Sequence, residues 1–403
     1  MLKNKNILVA VTGSIAVYKA LELIRLYIKA EANVKVIMTS AATKFVTALS
    51  FEAISQNRVL CEETESWDKN DIYNHIDIGK WADIFVIAPC SANTINKLAN
   101  GIADNLLTQA ALAFTKNKLI APAANTNMIK NPITQESLKK LQSYGYKIVS
   151  TQTKELVCKD VGDGAMAEPQ TIFYATCKEL FKDEYWINRK VVLSGGGTLE
   201  KIDDVRYISN FSSGKMAASL ALALYFKGAN ITLVASRGYE DLPKEIHVVK
   251  VQSSYEMYES LVDNLNISKK GDKKPFLFMV AAVSDYLPEQ NSNGKLKKEI
   301  LGNTWNLKLK QNMDILASLD KKDIVSIGFK AEMDETVAFD NAQNMLEKKG
   351  LDGVCLNILE NSDSFGTTNN KIELILKDKS KLFSGDKLSL SMDMISFLKE
   401  EFA

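Results

Sequence analysis

Two apolar runs that end in small-residue turns constrain this chain most: ILVAVTGS at Ile7 to Ser14, and VVLSGGGT at Val191 to Thr198, well inside it. An apolar run that enters such a turn and then a helix starts a βα unit of an open, mostly parallel sheet. Its return midway predicts two such sheets in tandem, which suits a chain of 403 residues, since one core rarely supports more than about 250–300. After the first turn, Ala20, Leu23, Ile24 and Tyr27 recur at helical spacing and predict a helix with one buried face. Short apolar runs at 34–38, 84–88, 118–121 and 146–149 predict buried parallel strands, with helices over 41–56, 91–113 and 131–144. The second half repeats the alternation, with strands near 190–194, 230–235, 246–251, 276–282, 323–329, 352–356 and 371–376. Helices fit 214–227, 254–265, 335–349 and 386–401. The expected fold is α/β, two doubly wound Rossmann-like domains over residues 1–189 and 190–403, separated at the charged stretch Lys182 to Asn188.

A composition of 46% hydrophobic and 25% charged residues is that of a folded protein, and a net charge of +1 argues against a nucleic-acid partner. No apolar run reaches membrane-spanning length. The start, MLKNKNILVAVTGS, leads into a strand without a cleavage signal, so a cytoplasmic location and no membrane partner are expected. Five cysteines without a CxxC pair suit free thiols in a reducing compartment, with neither a disulfide framework nor a zinc site.

A small-residue turn before a helix offers free backbone N–H groups and the positive end of a dipole, which suits phosphate. The first turn has one glycine, Gly13, and the second strand ends in Met38-Thr39-Ser40 without an acidic residue, so NAD is disfavoured. In the second turn Gly195-Gly196-Gly197 lacks the GxGxxG spacing, although Arg237 keeps an NADP oxidoreductase open. Ser212-Ser213-Gly214-Lys215 is no Walker motif, because Met216 follows and no glycine stands five positions before Gly214. His75, one of two histidines, is a candidate proton-handling group, although taken alone it reads first as a surface or helix-packed histidine. Cys158, in KELVCKDVGDGAMAEP (154–169), is either an inert packed cysteine or, on this glycine-bearing loop, a thiol placed to act as lid and acid.

HIDIGKWAD from His75, APCSANTINKLANGIADNLL (88–107), PAANTNM (122–128) and the Cys158 loop together resemble the flavin-dependent cysteine decarboxylase family. VRYISNFSSGKM (205–216), AAVSDY (281–286) and IGFKAE (327–332) resemble phosphopantothenate:cysteine ligases. In this order, over essentially the whole chain, they are similar to the bifunctional coenzyme A biosynthesis family. The resemblance implies a flavodoxin-like flavoprotein fold followed by a ligase α/β fold. It also implies two reactions: CTP-dependent condensation of 4′-phosphopantothenate with cysteine through an acyl-cytidylate, then FMN-dependent decarboxylation of the product to 4′-phosphopantetheine.

For the flavin half, the resemblance implies FMN across Gly13, Ser14, Ile15, Thr39, Ser40, Ser91, Asn93 and Thr94. His75 then matches the active-site base, Asn125 the residue holding the substrate carboxylate, with Met128 beside it, and Cys158 the proton donor. For the ligase half it implies Asn210 at the activated acyl group, Lys215 and Arg206 on substrate or phosphate, and Lys295 on a flexible loop with Lys297 and Lys298. The CTP pocket maps onto Ala281, Ala282, Asp285, Lys295, Met313, Asp314, Ile315, Leu316, Phe329, Met345 and Lys349, with Mg²⁺ on the phosphates through unidentified ligands. A lysine cluster such as 295–298 also fits a plain solvated face. A homo-oligomer with trimer-based flavin domains and dimeric ligase domains is implied as well. Three departures stand out: Ala124 replaces a methionine, Leu199 and Gly197 replace an arginine and a proline, and Met345 falls where a pocket lysine is usual. Besides the two-step enzyme, a flavin-fold binding module and the NADP oxidoreductase stay open, and colour separates the last, since a flavoprotein is yellow.

Overall fold

The apolar runs become the inner strands of two sheets. The computed structural model describes residues 1–68, 73–155, 161–359 and 367–403 and comprises two units, Met1–Phe181 and Lys182–Ala403. In the first, five parallel strands lie in the order Asn33–Met38, Asn6–Val11, Ile84–Cys90, Asn117–Pro122 and Lys147–Ile148. Ile84–Cys90 is buried along its whole length, as expected of an inner strand covered on both faces. Leu8, Ala10, Phe85 and Ile87 point to one face, where they meet Ile95, Leu107, Ala111 and Phe114 from the helices. The other face carries helices Val17–Lys29 and Pro169–Phe181, joined by a 2.7 Å hydrogen bond between the Tyr27 and Thr176 hydroxyls.

In the second unit, His247–Lys250, Asn230–Ala235, Lys190–Gly195, Phe276–Met279, Val325–Glu332 and Gly353–Ile358 are parallel neighbours in that order. Two antiparallel strands, Asn369–Ile375 and Ser380–Asp386, extend the edge. Helix Ser254–Ser268 packs Met257, Leu261 and Leu265 on one face. Lys215–Lys227 and the last helix, Lys387–Phe402, pack against each other. Both sheets are doubly wound, and in each the chain turns back on itself beside the first strand, opening a crevice at the strand ends.

The structure corrects four local expectations. The helix expected over 41–56 forms only over Ala48–Ser55, because the preceding residues make tight turns on Thr39 and Ala42. The single helix over 91–113 is two, Ala92–Ala99 and Leu106–Ala113. Gly101 takes a φ of +67° between them, and Asn105 starts the second with a capping box on Thr108, signals that outweigh apolar periodicity. The strand expected over 276–282 stops at Met279. Strand 380–386 was not expected, since its pattern is mostly polar and exposed. Among the described residues no helix is long and apolar enough to cross a membrane.

The base of the second sheet rests on Phe276, fully buried with its ring 4.9 Å from that of Trp186 and 5.9 Å from that of Phe278. Phe276→Ala leaves a cavity there, and denaturant unfolding is expected to show the transition of unit 182–403 weakened by about 3–5 kcal/mol, with that of unit 1–181 unchanged.

Two candidate active sites

The same fastening is used at both crevices. Thr12 donates its backbone N–H to the Pro89 carbonyl (3.3 Å), and its hydroxyl accepts from the Ser91 N–H (2.9 Å). Thr198 donates its N–H to the Ala282 carbonyl (3.3 Å), and its hydroxyl accepts from the Ser284 N–H (3.2 Å). Each buried threonine thus ties the turn after its unit's first strand to the turn after the strand across the switch point.

In the first unit this turn pair borders a cavity of about 510 Å³, lined by Gly13, Ser14, Thr39, Ser40, Ser91, Asn93, Thr94 and Met128 among others. Ser91 caps helix Ala92–Ala99, its hydroxyl accepting from the Thr94 N–H at 3.3 Å. Most of its polar lining is hydroxyls, amides and one helix N-terminus, a donor set that suits a phosphate monoester and a polar ring edge. Ile15 does not line it and is 53% exposed. Thr12, Glu62, Lys97 and Asn105 line it without having been expected. Thr12 stood inside the opening motif, whereas nothing in the sequence marked Glu62, which accepts from the Ser40 hydroxyl at 3.3 Å.

Asn125 caps the short helix Thr126–Lys130 by accepting from the Asn127 N–H at 2.9 Å. A hairpin of Gln152–Glu155 and Val161–Ala165 lies on this turn, with the Ala124 N–H donating to the Gly164 carbonyl at 3.1 Å. Gly164 permits that approach: a Cβ there would stand 2.1 Å from the Ala124 oxygen. Cys158, between the hairpin strands, lies outside the described residues. His75 opens helix His75–Trp81 and is not among the residues lining the cavity of its own unit. Its Nδ1 is 2.8 Å from Glu65 Oε1.

In the second unit a cavity of about 630 Å³ is lined by every residue expected at the nucleotide except Lys295. Lys349 pairs with Asp314 at 2.7 Å. Burial opposes the Asp314 charge, but the Lys349 ammonium and the Ala317 N–H overcome it and hold the carboxyl below its usual range. The buried Ser284 hydroxyl lines this cavity without a partner, so its wall has a polar group that a ligand could satisfy. A smaller adjoining cavity shares Ala281, Ala282 and Phe329 and is walled by Lys215, Lys330 and Lys387, the last two not foreseen. The Lys387 amine is pushed down, by burial first and then by Lys215. Asn210 donates its side-chain amide to the Val283 carbonyl at 3.3 Å. Met345, where a lysine was expected, packs its methyl beside Gly328.

Lys295 is exposed, yet its neighbours are anchored. Gly294 N–H donates to Asp204 (2.5 Å) and Leu296 N–H to Asp203 (3.1 Å), while Arg206 donates to the Leu296 carbonyl (3.0 Å). The fully buried Asp203 side chain also accepts from the Arg206 guanidinium, which holds its carboxyl far below the usual range. Among the described residues no group of three His, Cys, Asp or Glu side chains could hold a metal ion.

Fold and crevices together define a two-unit α/β protein with a nucleotide-type site in each unit. Residues 1–181 match the Flavoprotein family, and residues 186–401 match the DNA/pantothenate metabolism flavoprotein C-terminal domain. The Coenzyme A biosynthesis bifunctional protein CoaBC of Haemophilus influenzae is 36% identical over 405 residues, covering 100% of this chain and 98% of its own length. That of Bacillus subtilis is 36% identical over 404 residues, covering 98% and 97%. A solved PPC decarboxylase mutant complexed with pantothenoylaminoethenethiol is 37% identical, over 43% of this chain and 97% of its own, with a TM-score of 0.40. The chain belongs to the family of coenzyme A biosynthesis bifunctional proteins and is an enzyme of that pathway, with a flavoprotein decarboxylase unit and a ligase unit.

Two outcomes follow from the geometry. Gly164→Ala forces the hairpin off the Asn125 turn, so decarboxylation of supplied phosphopantothenoylcysteine should fall roughly 10-fold or more while bound-flavin absorbance and ligase turnover persist. Asp203, with its depressed folded value, stabilises the ligase unit fully above the unfolded carboxyl value of about 3.9 and loses that contribution as pH falls toward the folded one. Asp203→Asn should therefore flatten the acid-side loss of that unit's stability below about pH 4 in a pH series of thermal melts.

Proposed function

We propose that the ligase unit condenses 4′-phosphopantothenate with cysteine at the expense of CTP, and that the flavin unit uses FMN to decarboxylate the product to 4′-phosphopantetheine. What carries the reading is the convergence of the nucleotide residues, Lys295 apart, on one cavity at the second switch point. In the ligase unit the pantothenate carboxylate attacks the α-phosphorus of CTP and pyrophosphate leaves. The amine of cysteine then attacks the acyl carbon, expels CMP and forms the amide. Lys215, with Lys330 and Lys387 beside it, supplies counter-charge to the phosphates. Asn210 offers an amide to the oxygen of the tetrahedral intermediate, Arg206 holds substrate, and Lys295 closes from its anchored loop. Mg²⁺ enters on the triphosphate, as suits an ion that keeps substrate oxygens and water as ligands.

FMN is held by Ser14, Thr39, Ser40, Ser91, Asn93 and Thr94, whose hydroxyls, amides and helix terminus fit its phosphate and ring edge. Bound there, the flavin supplies a reversible two-electron exchange with the cysteinyl carbon–sulfur bond, so that CO₂ departs without net redox change. Asn125 and Met128 hold the substrate carboxylate end, His75 accepts a proton, and Cys158 returns one. Because His75 does not line its own unit's cavity, we assign it to the site of a neighbouring copy in a trimer-based flavin assembly. Exposed Ile15, Tyr18, Phe45 and Leu49 offer apolar surface for such contacts, and the ligase units pair as dimers. The enzyme works in the cytoplasm, where its substrates are small molecules.

Purified protein supplied with phosphopantothenate, cysteine, Mg²⁺ and CTP is expected to release pyrophosphate and CO₂, with ATP a poor substitute. Asn210→Asp should stop before the condensed product, and Cys158→Ser should accumulate an oxidised, decarboxylated species. Loss of CO₂ from supplied phosphopantothenoylcysteine without any pyrophosphate from CTP would overturn the ligase half.

A further inference from the structure

Glu65 and His75 approach from two separately pinned segments. The Glu65 N–H donates to the Cys61 carbonyl (3.0 Å), and the Ser66 N–H to the Tyr73 carbonyl (2.9 Å). On the other side Asn74 caps the helix that begins at His75, accepting from the N–H groups of Ile76 and Asp77. Held this way, Glu65 Oε1 lies 2.8 Å from His75 Nδ1 and also accepts the His75 backbone N–H at 3.3 Å. The Trp67 ring stands edge-on to the imidazole, centroids 5.4 Å apart at 84°. The two side chains are only 21% and 18% exposed, unlike a loose surface pair.

We propose that Glu65 is the positioning residue of His75, fixing Nδ1 as the protonated nitrogen so that Nε2 is the atom presented for proton transfer. An ionised carboxylate can only accept, so the ring nitrogen facing it carries the hydrogen, and in a neutral ring the other nitrogen keeps its lone pair. The two contacts to one carboxylate oxygen, from the ring and from the backbone of the same residue, fix the ring's rotation as well as its tautomer. Trp67, itself largely exposed, adds an edge-on ring contact to the imidazole. This inference rests on the reading of His75 as the proton-accepting group of the decarboxylation.

The test uses the yellow holoenzyme labelled with ¹⁵N-histidine. Only His75 and His247 contribute signals, and His247→Gln assigns them in solid-state spectra. Expected are an Nδ1-protonated His75 in the parent and a mixed or Nε2-protonated ring in Glu65→Ala and in the same-shaped Glu65→Gln. With supplied phosphopantothenoylcysteine, kcat should fall roughly 10- to 100-fold in these variants with KM little changed, and Glu65→Asp should recover part of the loss. An unchanged tautomer with parent kcat in both Ala and Gln variants overturns the role of Glu65. His75→Gln separates the two ideas: full activity there removes His75 as the base, whereas loss of activity there with intact Glu65 variants removes Glu65 alone.

Discussion

One hydroxyl in each unit holds its site together. Thr12 and Thr198 make the same pair of bonds, N–H to a carbonyl and hydroxyl from an N–H two residues further on, across the switch point of their sheets. At such a point the chain leaves neighbouring strands in opposite directions, so the two turns need ties of their own, and in the second unit the Ala282 N–H, donating to the Gly196 carbonyl at 2.9 Å, adds another. Because both threonines are buried, their hydroxyls are shielded from water, and losing the hydroxyl would leave the Ser91 or the Ser284 N–H without this acceptor. The Ser91 cap and the Asn93 and Thr94 side chains take their positions from the first bridge, and Ser284 and Asp285 from the second.

This shared bolt explains the restart of the chain better than the glycines do. The two opening phrases differ in glycine number and spacing, yet each carries a threonine where the turn must be tied. The sequence made the two sheets legible because inner parallel strands are continuous apolar runs, as at Ile84–Cys90. The residues of the second cavity were legible only through the family resemblance, since they come from turns, from the strand holding Phe329 and from the helices holding Ile315 and Met345. The break at Gly101 and the strand at 380–386 were hidden for the opposite reason: local capping and an exposed edge leave no apolar period to read. Glu65 and Lys387 were hidden because only the fold brings them to their partners, across an intervening loop or far along the chain, whereas Lys330 stood inside IGFKAE without being singled out.

The two sites handle negative charge differently, in keeping with what each is proposed to hold. The first cavity meets its ligand with hydroxyls, amides and a helix terminus, and its lining lysine, Lys97, is already paired with Asp104 at 2.7 Å. Neutral donors suffice for a single phosphate group whose charge is spread over a few oxygens. The second site brings Lys215, Lys330 and Lys387 around one small cavity and Lys349 to the next, with Lys330 paired to Glu332 at 3.0 Å and Lys349 to Asp314. Gathering ammonium groups is unfavourable by itself, and the lowered Lys387 amine records that, since burial and Lys215 both disfavour its charge. The anionic nucleotide proposed for this site would bring the opposite charge to these ammonium groups. The proposed nucleotide site is thus rich in lysine, whereas the proposed flavin phosphate meets hydroxyls, amides and a helix terminus, beside Glu62 and a lysine already paired with an aspartate.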